Sequence, residues 1–90
     1  MAAVFDRVRK ILVDLVGVNE SDIHPTTTFK ELDLDSLDMV EFVMRIEDEF
    51  AGEYERGGKR FEITDEEAKK IVAVSDAVDY IKSAGIEDQP

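Results

Sequence analysis

The sequence predicts a small all-α protein: a four-helix bundle of three main helices and one short helix, with a long first loop. Two patterns support this prediction. Apolar residues recur at steps of three and four in three segments, and residues typical of helix starts and stops flank those segments. The length agrees, because 90 residues have room for only one small core. We expect one domain over residues 1–85 and a frayed C-terminal tail over residues 86–90.

The first helix is predicted to begin near Val4 and to stop at Gly17, a typical C-terminal residue. The following segment, residues 18–35, has neither a helical nor a strand period and is rich in turn-forming residues. A connection of this length without regular structure is unusual in a compact domain unless it has a function. We expect its five apolar side chains to pin it across the helix ends: Val18, Ile23, Phe29, Leu32 and Leu34.

The second helix is predicted from Ser36 to Phe50. Asp35 is a good N-cap, and Asp38 falls in the first turn, where negative charge is favoured. The spacing predicts one apolar face made of Leu37, Val40, Val43, Ile46 and Phe50, widened by Met39, Phe42 and Met44.

The C-terminal half is predicted to hold a short helix and a longer one. Residues 64–67 read Thr-Asp-Glu-Glu, a capping-box sequence that opens a helix through about Lys70. A final helix follows and stops near Gly85. Between these helices and the second one, residues 51–60 break the pattern with three glycines, and residues 53–62 suit either a β-hairpin or an open loop. The final helix has its apolar residues on one face: Ile71, Val74, Ala77, Val78 and Ile81.

Composition excludes several classes of function. The chain has no Cys, which rules out disulfides, zinc–thiolate sites and a catalytic thiol, and its single histidine, His24, argues against a multi-histidine metal site. The net charge of −11 argues against nucleic acid and anionic membranes as partners and favours a basic protein partner. No apolar run approaches the roughly 20 residues of a membrane span, and no secretory signal is evident. We expect a cytoplasmic protein, or one of an organellar matrix if a transit peptide has been removed.

The acidic charge is concentrated in one stretch. Residues 31–56 contain ten acidic and two basic residues, a net charge of −8. Within it, the docking stripe (Asp38, Glu41, Arg45 and Asp48) follows the helical repeat along one exposed face. Such a stripe is either a solvated face or a docking surface. A calcium-binding loop started at Asp33 fails, because its template needs an oxygen ligand at Leu37 and a glutamate at Met44.

A serine at a helix start is most often only a cap. The stretch from Asp35 to Phe50, however, which reads Asp-Ser-Leu-Asp-Met-Val-Glu-Phe-Val-Met-Arg-Ile-Glu-Asp-Glu-Phe, closely resembles the acyl carrier proteins of fatty-acid synthesis. The resemblance extends over nearly the whole chain except residues 51–60 and the tail. It includes residues 7–12 and 15–18 as a first helix, Phe29 as a loop anchor, and residues 65–71 and 74–81 as third and fourth helices.

The resemblance implies that Ser36, flanked by Asp35 and Leu37, carries a 4′-phosphopantetheine arm donated by coenzyme A. The arm's thiol would hold acyl groups as thioesters, which agrees with a chain that has no thiol of its own. A phosphodiester at Ser36 would also place an anion at a helix N-terminus, where it is favoured. The protein would then be a carrier, monomeric when free, and not an enzyme. Two alternatives stay open: a carrier of polyketide, peptidyl or aminoacyl intermediates, and an unmodified acidic interaction module.

The resemblance also implies partners and an acyl pocket. The partners would be a holo-carrier synthase, the phosphopantetheinyl transferase that adds the arm, and fatty-acid synthesis enzymes with basic docking surfaces. The residues expected to dock are acidic and lie on or beside the second helix: Asp35, Asp38, Glu41, Glu47 and Asp48. The residues expected to enclose the acyl chain lie between the second and third helices, although each is also an ordinary core candidate: Phe42, Val43, Ile46, Ala68 and Ile71.

Two departures from the family pattern bear on the structure. Asp33 stands where carriers usually have glycine, in a loop that looks one residue shorter, and a positive φ there would cost Asp some free energy. Ala73 stands where the fourth helix usually has a Ser or Thr cap. Because Ala has no acceptor, we expect that helix to start at Ser75 instead.

Overall fold

In the part of the chain that the structure describes, the protein is a bundle of four α-helices. The structure, a computed structural model, describes residues 3–53 and 61–88. Single 3₁₀ turns occupy Glu20–Asp22 and Ala51–Glu53. The prediction of an all-α bundle with three main helices and one short helix is confirmed. The helices are α1 (Val4–Val16), α2 (Ser36–Phe50), α3 (Asp65–Lys69) and α4 (Val74–Ser83).

The core lies between α1, α2 and α4. Helix α1 packs against both α2 and α4, and the Phe29 ring of the first loop lies 4.9 Å from the Phe42 ring of α2, measured between centroids. Burial of these apolar side chains is the main favourable contribution to folding. The buried apolar residues are Val4, Val8, Ile11, Leu12, Ile23, Phe29, Phe42, Ile46, Phe50, Phe61, Ile63, Ile71, Val74, Ala77, Ile81 and Ile86.

The two ends of α1 are satisfied in different ways. Gly17 adopts the left-handed conformation (φ 72°) that ends the helix, and its N–H donates to the Val13 carbonyl at 2.9 Å. At the other end, Ala3 has no side-chain acceptor, so the Val4 N–H donates to Asp88 Oδ1 at 2.7 Å. The expectation of a frayed tail is therefore wrong for residues 86–88, where Ile86 is also buried. Residues 89–90 lie outside the described part of the chain.

The first loop is pinned as predicted. Ile23 and Phe29 are buried, and Val18, Leu32 and Leu34 pack half-buried against the core. The loop backbone also pairs with the link between α3 and α4. The Phe29 N–H donates to the Val72 carbonyl at 3.0 Å, and the Val74 N–H donates to the Thr27 carbonyl at 2.9 Å.

Helix α4 starts at Val74, so the prediction of a start at Ser75 is wrong. The missing cap at Ala73 is replaced from inside the helix. The Asp76 carboxylate accepts from the N–H groups of Ala73 (2.9 Å) and Val72 (3.0 Å), and these bonds hold the pKa of Asp76 below its usual value. Helix α3, in contrast, has the predicted capping box between Thr64 and Glu67.

The single apolar face predicted for α2 is wrong. Phe42, Ile46 and Phe50 are buried, but the apolar arc extends further around the helix than the core does. Within the described residues, no helix covers its outer part, which stays exposed: Leu37 (73%), Val40 (61%) and Met44 (57%). The hairpin considered for residues 53–62 falls largely on residues 54–60, outside the described residues, although Glu53 itself belongs to a 3₁₀ turn.

Candidate functional site

The start of α2 is organised by two aspartates. Asp35 is the N-cap, and its Oδ1 accepts from the Asp38 N–H at 2.8 Å. In return, the Asp38 carboxylate accepts from the Asp35 N–H at 3.2 Å. This capping box satisfies two of the donors that a helix start leaves free, and it fixes where the helix begins.

Ser36 is the first residue of α2, but it is not the cap. Its side chain is exposed, and its hydroxyl forms no hydrogen bond within the described residues. The N–H groups of Ser36 and Leu37 likewise have no acceptor among those residues, because the capping box serves only Asp35 and Asp38. The helix start therefore presents a free hydroxyl beside two free backbone donors.

The loop that leads to Ser36 contains a residue with a positive φ, the conformation for which carriers usually have glycine. Asp33 has a φ of 59°, in the left-handed region that glycine adopts with least cost. The turn around it is closed by backbone bonds from Asp33 N–H to the Lys30 carbonyl (3.0 Å) and from Leu34 N–H to the Phe29 carbonyl (3.1 Å). The condition considered from the sequence, a positive φ at Asp33, is therefore met, and the conformation carries the cost expected for a residue other than glycine.

A cavity of about 720 Å³ opens beside Ser36, between α2, α3 and the first loop. Of the five predicted pocket residues, Val43, Ala68 and Ile71 line it, whereas Phe42 and Ile46 do not and are buried in the core on another face of α2. Most of the cavity wall is not predicted from the sequence. The signal that could have indicated it is the width of the apolar arc on α2, because much of the exposed outer part of that arc lines the cavity. The additional lining residues are Phe29, Lys30, Leu34, Ser36, Met39, Val40, Met44, Glu47, Ile63, Asp65, Lys69 and Val72.

The wall formed by α3 is held by few contacts. No residue of α3 is fully buried. The segment before it is anchored by the buried side chains of Phe61 and Ile63, and its hydrogen bonds reach both α2 and α4. The Tyr80 hydroxyl donates to the Glu62 carbonyl at 3.1 Å, and the Ile63 N–H donates to Glu47 Oε2 at 2.8 Å. A short helix with so little burial is a wall that local motion can open.

The acidic residues of α2 separate into two groups. Glu41, Arg45 and Asp48 are exposed with Asp38 half-buried, and the Arg45 guanidinium pairs with Glu41 at 3.1 Å. Glu47 lies elsewhere: nine residues after Asp38, it is about 180° around the helix, at the cavity. Its carboxylate is already bonded to the Ile63 N–H. The structure thus places four of the five expected docking residues at or near the docking stripe and the fifth at the cavity.

Outside this site the described residues offer little other chemistry. His24 is exposed in the first loop, and within residues 3–53 and 61–88 no group of three His, Cys, Asp or Glu side chains could hold a metal ion. None of the helices in that same part of the chain is long and apolar enough to cross a membrane.

Comparison with known families agrees with this geometry. A family model described as the phosphopantetheine attachment site matches residues 6–54, which include most of α1, the first loop and α2. The class of protein is therefore a carrier that bears a covalent prosthetic group. Since the match covers more than half of the chain, the chain belongs to the phosphopantetheine-attachment-site family, and the resemblance to acyl carrier proteins is confirmed at that level.

Membership gives the prosthetic group and the general role. The cofactor is 4′-phosphopantetheine, covalently attached, and the protein is a carrier of acyl or peptidyl intermediates. Carrier domains of this family generally hold substrates for other proteins, and they interact with transferases and synthases. The free hydroxyl of Ser36 at an uncovered helix start fits the attachment of such a group.

Proposed function

We propose that Ser36 carries the 4′-phosphopantetheine arm and that the protein, itself without catalytic activity, presents acyl groups to the enzymes of fatty-acid synthesis. The observation that carries the proposal is the position of Ser36. Its hydroxyl is exposed, unbonded within the described residues, and at the rim of the cavity. It also lies inside the segment that matches the attachment-site family.

The residues around Ser36 suit a phosphodiester. The free N–H groups of Ser36 and Leu37 can donate to its oxygens, and the dipole of α2 favours an anion at this end. Asp35 and Asp38 are occupied with each other in the capping box, which keeps the helix start rigid. When bound, the arm supplies a thiol that holds an acyl group as a thioester.

The cavity supports an alkyl cargo. Its walls are mainly apolar, with Val43 contributed by α2, Ala68 by α3 and Ile71 by the link between α3 and α4. An alkyl chain buried there would gain roughly 0.8 kcal/mol per methylene removed from water. This lining favours fatty-acyl groups over peptidyl or aminoacyl groups, whose amides would be left without partners on apolar walls.

The docking stripe supports recognition by basic partners. Glu41 and Asp48 are exposed, and Leu37 and Met44 lie beside them with large apolar side chains in solvent. Long-range attraction accelerates encounter, and a small apolar contact lets the complex dissociate easily. Both are useful to a carrier that visits several enzymes in turn.

The attachment site is tested by intact mass. The protein isolated after co-expression with a phosphopantetheinyl transferase should gain the mass of one phosphopantetheine, and Ser36→Ala should fold but gain none. Ser21→Ala is the matched control, because Ser21 is also an exposed serine in a short helical turn, and it should be modified normally. A mass gain in Ser36→Ala would overturn the proposal.

The cargo is tested by mass spectrometry of the arm. The holo-protein purified from a cell with active fatty-acid synthesis should carry saturated or 3-hydroxy acyl thioesters. Arms loaded mainly with aminoacyl or peptidyl groups would exclude the fatty-acid role and leave the carrier role intact. Protein with no arm at all would favour the unmodified interaction module.

The docking stripe is tested by charge reversal. Glu41→Lys should slow modification of Ser36 by a basic transferase at low ionic strength, with a smaller effect at high salt. Asp14→Lys, an exposed change of equal charge on α1, is the control and should have little effect. Arg45→Ala should leave the rate unchanged or raise it, since Arg45 now neutralises Glu41. Equal rates for Glu41→Lys and the control would make the stripe only a solvated face.

A further inference from the structure

One hydrogen bond joins the two walls of the cavity. Glu47 Oε2 on α2 accepts from the backbone N–H of Ile63 at 2.8 Å, and both residues line the cavity. The bond links positions 16 residues apart, across the gap between α2 and the segment that leads into α3. It therefore bears directly on how far apart these walls stand.

This bond matters because the α3 wall has few other attachments to α2. Helix α3 has five residues and none is fully buried. A second hydrogen bond of the preceding segment, from the Tyr80 hydroxyl to the Glu62 carbonyl, ties it to α4 and not to α2. If the Glu47 bond is lost, this segment keeps its apolar packing, including the buried side chains of Phe61 and Ile63, but loses a hydrogen bond that ties it to α2.

The Glu47 carboxylate is also within reach of a partner. Glu47 is half-buried, so part of it faces solvent at the rim of the cavity. It follows Ile46 and precedes the exposed Asp48 of the docking stripe. An ionised side chain forms a strong bond to a single N–H, but a guanidinium or ammonium group offers it several donors and a full opposite charge.

We propose that Glu47 is a positioning residue that closes the cavity in the free protein, and that a cationic side chain of a docked enzyme takes its carboxylate from the Ile63 N–H and opens the α3 wall. Docking on α2 is thereby coupled to access to the cargo. The inference rests on the proposed function for the identity of cargo and partner. The hydrogen bond between Glu47 and the Ile63 N–H, here called the Glu47 latch, does not itself depend on Ser36.

The first experiment measures hydrogen exchange at the Ile63 amide by NMR in the free, unmodified protein. Glu47→Ala should accelerate exchange at Ile63 by about tenfold, because the amide loses a charge-assisted acceptor. Asp48→Ala is the matched control, since it removes the same charge one residue further on, from an exposed side chain. Equal exchange rates at Ile63 in the two variants would overturn the proposal that Glu47 closes the cavity.

The second experiment adds the partner. A phosphopantetheinyl transferase, without coenzyme A, should accelerate exchange at Ile63 in the wild type by a similar factor and should add little in Glu47→Ala. If the transferase binds and Ile63 exchange in the wild type stays the same or slows, the coupling is wrong. Because no arm is present, a failure of the Ser36 assignment cannot produce either result.

The third experiment uses an acyl-loaded protein and hydroxylamine, which cleaves exposed thioesters. Glu47→Ala should be cleaved several-fold faster than the wild type, and Asp48→Ala at the wild-type rate. Equal cleavage rates in all three would show that the Glu47 bond does not control access to the cargo, even where the arm is attached at Ser36.

Discussion

The half of the bundle built by α1 and α4 and the half built by α2 and α3 treat apolar residues differently. Helices α1 and α4 bury their apolar stripes against each other, with Leu12 and Ile81 fully inaccessible to solvent. Across the molecule, Leu37 and Met44 of α2 are largely exposed, and α3 buries no residue completely. Helices α1 and α2 each contain eight apolar residues, so burial is decided by whether another helix covers the residue. The half built by α1 and α4, here called the closed half, provides stability. The half built by α2 and α3, here called the open half, leaves apolar surface available to cargo and partners.

The largest expected effect comes from comparing a buried residue of the closed half with an exposed residue of the open half. Leu12→Ala should lower the free energy of unfolding by about 3 kcal/mol, because it leaves a cavity at a fully buried position. Met44→Ala should change it by less than about 0.5 kcal/mol, because the Met44 side chain is more than half exposed. Urea unfolding followed by circular dichroism measures both. Similar losses for the two variants would mean that the open half is packed as tightly as the closed one.

Arg7 belongs to the closed half and joins α1 to the end of α2. Its guanidinium donates to both Glu49 and Glu53 and lies 4.3 Å above the Phe50 ring. The bond to Glu53, followed by that to Glu49, outweighs burial and holds the pKa of Arg7 above its usual value. Arg7→Ala should therefore destabilise the protein by about 2 kcal/mol, because charged hydrogen bonds and the contact with the ring are lost together.

Arg45→Ala gives the matched comparison for Arg7. Arg45 also pairs with a glutamate, Glu41, but both side chains are exposed on the open half. Exposed pairs of this kind contribute about 0.5 kcal/mol or less. If both variants lose the same stability, the position of Arg7 over Phe50 adds nothing beyond an ordinary surface ion pair.

The sequence predicts most helix ends better than it predicts which apolar residues are buried, and the reason is physical. Gly17 and the capping residues Asp35 and Thr64 act on neighbouring residues, so local patterns predict their helix ends correctly. Burial on α2 depends on which helix covers each turn, and the helical period alone does not contain that information. It therefore groups Val40 with Ile46, although only Ile46 is buried.

Long-range partners are invisible in the sequence for the same reason. Asp88 lies 84 residues after the Val4 N–H that it accepts, and no periodicity connects the two. Glu47 looks like any other acidic residue of α2 until the fold brings Ile63 beside it. Ser36, in contrast, was predicted as the attachment site from a continuous motif, and the structure leaves its hydroxyl exposed at the cavity rim.

A pH titration tests the hydrogen bond by which Asp88, near the C-terminal end, holds the start of α1. The bond from the Val4 N–H, with a smaller contribution from Lys82, holds the pKa of Asp88 below its usual value. Since the folded-state pKa is the lower one, the stabilisation is fully present above about pH 4 and is lost as the pH falls through the folded-state pKa. Asp88→Ala should lower the melting temperature at pH 7, and the difference from the wild type should shrink as the pH falls through the folded-state pKa of Asp88.

Glu87→Ala is the control for Asp88, because Glu87 is the exposed neighbour of the same charge. It should leave the melting temperature nearly unchanged at pH 7. A difference between Asp88→Ala and the wild type that stays constant down to acid pH would show that the carboxylate charge of Asp88 is not what holds the start of α1.

The smallest effect concerns the loop of the open half that leads to Ser36. Asp33→Gly removes the cost of a left-handed φ of 59°, about 1 kcal/mol, but glycine also gains about 0.5–1 kcal/mol of freedom in the unfolded chain. The two terms nearly cancel, so stability should stay within about 0.5 kcal/mol of the wild type. Gly17→Ala in the closed half, where an added Cβ meets no neighbour within 4 Å, introduces a left-handed cost of about 1–2 kcal/mol, higher than for Asp because alanine has no polar side chain that bonds locally. The freedom that the unfolded chain loses, about 0.5–1 kcal/mol, offsets only part of this cost, so Gly17→Ala should destabilise by about 0.5–1 kcal/mol. Because Asp33→Gly keeps the backbone conformation that positions Ser36, it should also be modified by the transferase at the wild-type rate. A slower rate with unchanged stability would mean that the Asp33 side chain, and not only its backbone, takes part in presenting Ser36.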